Sequence, residues 1–200
     1  MSLWLLPEPL VLASKSESRR LMLQAAGIPV EIVPAEIDER AIETRAGLAP
    51  HDTALLLAQE KASSVSAGLP SRVVLGADQT LALDDRRFSK PADLGAAREQ
   101  LRALCGRTHA LHSAFALVRG GAVLSSEVDT ARLTMRDFSD RFLDRYLEVV
   151  GRAVTESVGG YQLEKIGIHL FDRVEGDHFT ILGLPLLGLL ATGRRLGFVA

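Results

Sequence analysis

One cysteine, Cys105, occurs in 200 residues. No internal disulfide can form, and no Cys/His grouping has the spacing of a zinc site, which suits a reducing compartment. Long apolar runs are missing too. The longest, residues 181–191, contains Pro185 and falls short of the ~20 apolar residues that a membrane span needs. Near the N-terminus Trp4, Leu5 and Leu6 come before Arg19 and Arg20, and Pro7 and Pro9 interrupt the run. A signal peptide would place its positive charge first. The expectation is a cytoplasmic protein with no membrane partner. Net charge is small: 23 Lys and Arg against 25 Asp and Glu give −2. A domain built to hold nucleic acid is usually basic, so nucleic acid is not an expected partner. Repeats, low-complexity tracts and linkers are lacking. So are a GxxxxGK(S/T) phosphate loop, a GxGxxG fingerprint after a strand, a Ser/His/Asp order and a G-x-S-x-G elbow.

What is present is a globular pattern, with 47% apolar and 24% charged residues. The length suits a single domain over residues 1–200, or two lobes sharing a cleft. Residues 10–13 read as a strand. Residues 16–26 read as a helix, with Gly27 where a C-terminal cap belongs. Residues 31–34 suggest a strand, 52–67 a helix ending at Gly68, 73–77 a buried strand, and 93–104 a helix closed by Gly106. Further on, residues 109–118 and 122–135 flank Gly120-Gly121 and predict a long hairpin. Ser139 is placed to cap a helix with Phe142, Tyr146 and Val149 on its apolar face. Strand-like pieces follow at 168–171 and 179–182, and Pro185 suits the first turn of a last helix. The pattern is that of a mixed-sheet α/β protein.

Five segments have the make-up of a site. In LASKSESRR, residues 12–20, a strand gives way to small hydroxyl residues and a helix start. Free N–H groups at a helix N-terminus hold phosphate, with Ser14, Ser16, Ser18, Arg19 and Arg20 as further donors. The alternative is a capped helix with solvated arginines. In VVLGADQ, residues 73–79, an apolar strand runs into Gly76, Ala77 and Asp78, and an aspartate at a strand end can hold magnesium or activate water. It could equally be an ordinary turn residue. Lys90, kept extended by Pro91, could grip phosphate or be merely solvated. Lys61 lies between alanines in AQEKA, where spacing alone favours the wet face of a helix. Glu36, Asp38 and Glu39 form an acidic patch that could bind metal or solubilise a loop. In VGGYQLEKIG, residues 158–167, Gly159 and Gly160 permit unusual backbone angles near Glu164. His109, His112, His169 and His178 show no metal spacing, and Cys105 reads as core.

Taken in order, these segments resemble the Maf family of nucleotide pyrophosphatases over residues 10–196. The family opening LASxSPxRR is LASKSESRR here, and LAxxKA is LAQEKA. G(A/S)D is GAD. Lys90-Pro91, Gly160-Tyr161 with Glu164, and GLPL at residues 183–186 complete the series. Two positions depart from it: Glu17 stands for the motif's proline, and Lys165 for a usual glycine. The resemblance implies a mixed, elongated sheet with flanking helices and two lobes around a central cleft, similar to the inosine triphosphate pyrophosphatases. It implies cleavage between the α- and β-phosphates of a nucleoside triphosphate with a divalent cation, magnesium or manganese.

By the same resemblance, Asp78 is the proton acceptor. Ser14, Arg19, Arg20, Lys61 and Lys90 bind substrate, Glu39 and Asp78 handle the metal, and Ser18, Gln79 and Glu164 bear on substrate choice. Asp78-Gln79 with Glu164 resembles the branch acting on 7-methyl-GTP. The other branch, with GADT and a glutamine, suits dTTP and UTP. A non-catalytic nucleotide-binding regulator of cell division is the competing class, and Asp78 discriminates, because a pure binder needs no carboxylate beside an anion. Assembly is left open, a homodimer included.

Overall fold

Short alternating apolar runs separated by capped helices produce a mixed sheet with flanking helices. The structure is a computed structural model that describes residues 2–200. Strands β1 (Leu10–Leu12), β2 (Val30–Ile32), β3 (Val74–Leu83), β4 (Arg86–Phe88), β5 (Thr108–Arg119), β6 (Ala122–Met135) and β7 (Phe171–Glu175) form one sheet. Its order is β2-β1-β3-β5-β6-β7, with β4 on β3. β1 pairs parallel with β2 and β3, whereas β3–β4 and β6–β7 are antiparallel. The helices are α1 (Glu17–Ala25), α2 (Glu39–Ala46), α3 (Pro50–Ser66), α4 (Leu94–Leu104), α5 (Asp140–Val150), α6 (His178–Ile181) and α7 (Leu186–Arg195). Among the described residues no helix is long and apolar enough to cross a membrane.

The chain divides into two compact units. One holds the residues up to Gln79, Ser113–Asp129 and His178–Ala200, and the other Thr80–His112 and Thr130–Asp177. In the first unit, successive strand residues point to opposite faces of the sheet. Leu10, Leu12, Leu75, Ala77, Phe115 and Leu117 join one buried cluster with Leu186 and Leu189 of α7. Val11, Ala13, Val74, Ala114 and Ala116 join the other with Ala54, Ala58 and Ala62 of α3. In the second unit the buried set includes Leu81, Leu101, Leu104, Leu111, Leu133 and Leu143. There α4 and α5 are tied by Arg98–Asp144 and by Arg102–Asp140 at 2.8 Å.

Several local signals act as their chemistry dictates. Ser16 accepts from the Arg19 amide at the start of α1, Asp93 from Ala96 at α4, and Ser139 from Phe142 at α5. Gly120 and Gly121 have φ of 57° and 79°, the left-handed pair that a two-residue hairpin turn requires.

Other expectations are corrected. The strand expected to stop at residue 77 runs on to Leu83, because each polar residue that looked like a turn finds a partner within the sheet or beside it. α2 lies over residues to which no element was assigned: Asp38, of the acidic patch, caps it by accepting from the Ala41 amide, and Glu39 is its first residue. Residues 166–170 form a 3₁₀ turn before β7. Residues 179–182, expected as strand, belong largely to the short helix α6. Val149 is 57% exposed rather than on the packed face of α5, which buries Leu143 and Tyr146. Cys105 is half-buried at the end of α4, its thiol 3.5 Å from the Phe138 carbonyl.

Candidate active site

Gly76 decides how closely α3 approaches β3. A Cβ there would lie 2.0 Å from the Ala58 carbonyl oxygen and 2.7 Å from the Ala62 amide nitrogen. With hydrogen at this position and methyl groups at 58 and 62, the helix backbone packs directly on the strand. Asp78 is two residues further along β3 and so points to the same face as Gly76. Lys61, from the α3 turn packed on that face, places its Nζ 2.6 Å from Asp78 Oδ1. It also lies 3.0 Å from Glu39 Oε1, at the start of α2. Lys61 is only 8% exposed, so the wet-face position favoured by its spacing is overturned. Asp78 is equally buried. Burial pushes its carboxyl above the usual range, Lys61 and Arg19 pull it back, and Glu39 adds to the rise.

Arg19, on α1, is the second buried cation. Its Nε donates to the Gly183 carbonyl at 2.8 Å, and its Nη1 to the Ala77 carbonyl at 2.9 Å and to Ser14 Oγ at 3.1 Å. Most of its fork is therefore occupied in fixing backbone beside Asp78. Burial lowers its affinity for the proton, and the Asp78 and Glu39 carboxylates oppose that. Two cations, Lys61 and Arg19, thus act on two carboxylates, Asp78 and Glu39.

Arg20 turns elsewhere. It pairs with Glu17 and donates to Gln24 Oε1 at 2.9 Å on the outer side of α1. Ser14 accepts from Arg19 and from the Ser16 amide. Ser18 and Gln79 both engage the segment 180–183: Ser18 Oγ donates to the Leu182 carbonyl at 3.3 Å, and Gln79 Nε2 donates to the Thr180 and Ile181 carbonyls at 3.1 and 3.0 Å. Lys90 and Glu164 are exposed residues of the other unit. Ser113, Asp129 and Thr180 joined this network without a motif to mark them. A hydroxyl in the apolar run of β5 was the signal that could have drawn notice to Ser113, since buried polar groups are the informative exceptions.

Among the described residues no group of three or more His, Cys, Asp or Glu side chains gathers. The donor set that is present consists of the Glu39 and Asp78 carboxylates, converging on one ammonium. Hard oxygen donors of this kind, supplemented by substrate phosphate and water, fit magnesium or manganese.

A family described as Maf-like protein matches residues 9–195. The chain belongs to it. Relatives named nucleoside triphosphate pyrophosphatase occur in two strains of Rhodopseudomonas palustris. One is 57% identical over 201 residues, covering 100% of both chains, and the other is 60% identical over 191 residues, covering 95% of each. A protein of Mesorhizobium japonicum named 7-methyl-GTP pyrophosphatase is 52% identical over 195 residues, covering 96% of this chain and 98% of its own. A crystal structure of a nucleoside-triphosphatase, dITP/XTP pyrophosphatase, from Mycobacterium abscessus overlaps 64% of this chain and 74% of its own. Its TM-score is 0.40 at 19% identity, too slight a likeness to carry an argument.

Proposed function

We propose that this Maf-like chain is a nucleoside triphosphate pyrophosphatase that cleaves between the α- and β-phosphates, with 7-methyl-GTP as its preferred substrate. The observation that carries the reading is the buried Asp78 carboxylate, 2.6 Å from the Lys61 ammonium and close to the buried Arg19. The names of relatives 57% and 60% identical along nearly their whole length support the activity. A carboxyl raised by burial is a better base near neutral pH than a free aspartate. Asp78 takes a proton from water as the water oxygen bonds to the α-phosphorus. The bond from that phosphorus to the bridging oxygen breaks, and pyrophosphate carries away the electron pair. Lys61 and Arg19 neutralise the charge that builds on the phosphates, with Ser14 as a further donor. Glu39 and Asp78 would hold the divalent cation, which supplies charge neutralisation on the triphosphate.

The preference for 7-methyl-GTP rests on Gln79 and Glu164 and on the Mesorhizobium relative's name. Methylation at N7 gives guanine a delocalised positive charge, which a carboxylate favours. Glu164 could accept from both guanine N1–H and the exocyclic amine, whereas uracil and thymine offer one donor beside carbonyl oxygens. A hydrogen bond to a charged group contributes about 1.5–3 kcal/mol, enough for roughly ten- to a hundredfold discrimination. The test is pyrophosphate release from 7-methyl-GTP, GTP, UTP and dTTP, with magnesium or manganese, by wild type, Asp78→Asn and Glu164→Gln. Asp78→Asn is expected to lose about 10²–10⁴-fold in kcat, and Glu164→Gln to compress the ranking. Wild-type turnover in Asp78→Asn removes the base assignment. A wild-type preference for UTP or dTTP removes the 7-methyl-GTP reading and leaves the pyrophosphatase. Nucleotide binding with no release at all favours the regulator.

A further inference from the structure

Residues 180–183 close the short helix α6 and lead into α7. Helix C-termini leave carbonyls without intrahelical partners, and those oxygens need donors from elsewhere. Here side chains supply them one after another. Thr180 O accepts from Ser113 Oγ at 2.7 Å and from Gln79 Nε2 at 3.1 Å. Ile181 O accepts from Gln79 Nε2 at 3.0 Å. Leu182 O accepts from Ser18 Oγ at 3.3 Å, and Gly183 O from Arg19 Nε at 2.8 Å. Thr180 itself donates through Oγ1 to Asp129 Oδ2 at 2.6 Å.

The orientation of the Gln79 amide follows from this. Its nitrogen also lies 2.9 Å from Ser113 Oγ, whose own proton goes to Thr180 O. An amide oxygen turned to the same place would face two carbonyl oxygens. Ser18 is committed in the same way. Ser16 Oγ, 3.1 Å from Ser18 Oγ, can donate to it, leaving the Ser18 proton for Leu182 O. Both first-unit positions that the family resemblance ties to substrate choice therefore direct their donors at backbone of one segment. Arg19 connects that segment to Ala77, the residue before Asp78.

We infer that Ser113 is a specificity-determining positioning residue, and that Gln79, Ser18 and Ser113 set substrate choice together by fixing the backbone of residues 180–183. This rests on the pyrophosphatase reading and deepens it. Ser113 is fully buried, with its hydroxyl on the same face of β5 as Phe115, and it contributes no group to solvent. Its effect on substrate passes through Thr180 O and the Gln79 amide. A threonine at position 79, as in the pyrimidine-preferring branch, is too short to reach both carbonyls and would free the segment to take another course.

Two measurements on the full chain test this. Amide exchange is followed at Gly183 and Leu184, whose N–H groups donate to Thr180 O and Phe179 O at 3.1 Å each. The ratio of kcat/KM for 7-methyl-GTP to that for UTP is measured in wild type, Ser113→Ala, Gln79→Thr and the double variant. Ser113→Ala is expected to speed exchange and to lower the ratio, each about three- to tenfold, the effect of one hydrogen bond. Gln79→Thr should move both in the same direction, and the double variant should fall short of the product of the single effects, as residues of one network do. A simple loss of stability would lower kcat/KM for both nucleotides together and leave the ratio alone. Unchanged exchange in both single variants, or faster exchange with an unaltered ratio, overturns the inference and leaves the pyrophosphatase standing. Wild type releasing pyrophosphate from no nucleotide overturns both.

Discussion

Lys61 is the cation in direct contact with both carboxylates of the candidate site, so its removal has a signature. Its ammonium lowers the Asp78 carboxyl against the upward push of burial. Lys61→Met keeps most of the volume and deletes the charge, so Asp78 should hold its proton to higher pH. The rising acid limb of the kcat/KM profile is then expected to shift upward, along with a loss of phosphate affinity common to all nucleotides. A profile that keeps its acid limb in place would mean that Asp78 is not the titrating base. A second residue makes a pH statement about stability. His109 is 2% exposed, its Nε2 is 2.6 Å from the Tyr161 hydroxyl, and burial pushes its imidazole down from 6.5 to about 4. Between those two values the unfolded chain binds a proton that the folded chain refuses. Stability contributed by the neutral ring is thus complete above about 6.5 and is lost as pH falls towards 4, by up to about 3 kcal/mol. His109→Gln, which cannot titrate, should show a smaller fall in Tm between pH 7 and pH 4.5 than wild type. Equal falls would exclude His109 as the source.

At the scale of elements, the contact between α3 and β3 makes the site, and Gly76 makes the contact. Gly76→Ala drives a methyl group into backbone at 2.0 Å, which only a displaced helix can relieve. Overpacking of this kind costs about 1–3 kcal/mol or more, and kcat should fall with it because Lys61 moves with α3. An alanine variant with native Tm and activity would show that the close approach is dispensable. The α1 and α4 caps, the Gly120-Gly121 turn and the buried strands β1 and β3 were legible in sequence because their signals are local. α2 was not: its Glu39–Ala46 stretch buries no residue, so there was no apolar stripe to read. β3 was cut short because Asp78 and Gln79 look like punctuation until Lys61, Ser113 and the α6 carbonyls, all distant in sequence, are seen to satisfy them. The same reason hid the burial of Lys61. Ala58 and Ala62 are small enough for a close approach, but a charge is placed inside only by a partner that spacing does not reveal.

For the whole molecule, the balance of charge at the candidate site predicts that folding does not depend on the proposed metal ion. Lys61 and Arg19 already answer the charge of Asp78 and Glu39, so these two carboxylates do not face each other uncompensated in the folded state. Chelation with EDTA is expected to abolish pyrophosphate release, which magnesium or manganese restores, and to leave the thermal midpoint unmoved. A midpoint that drops sharply on chelation would mean that the ion is part of the fold, as it is in small zinc domains. A lysine that acts as resident counter-ion has a practical corollary. On the proposed reading the metal-free protein would be a folded, inactive reservoir, because its two site carboxylates already face cations. On that reading, supply of the ion would govern how many molecules are active, reversibly, on the timescale of ion exchange rather than of synthesis and degradation.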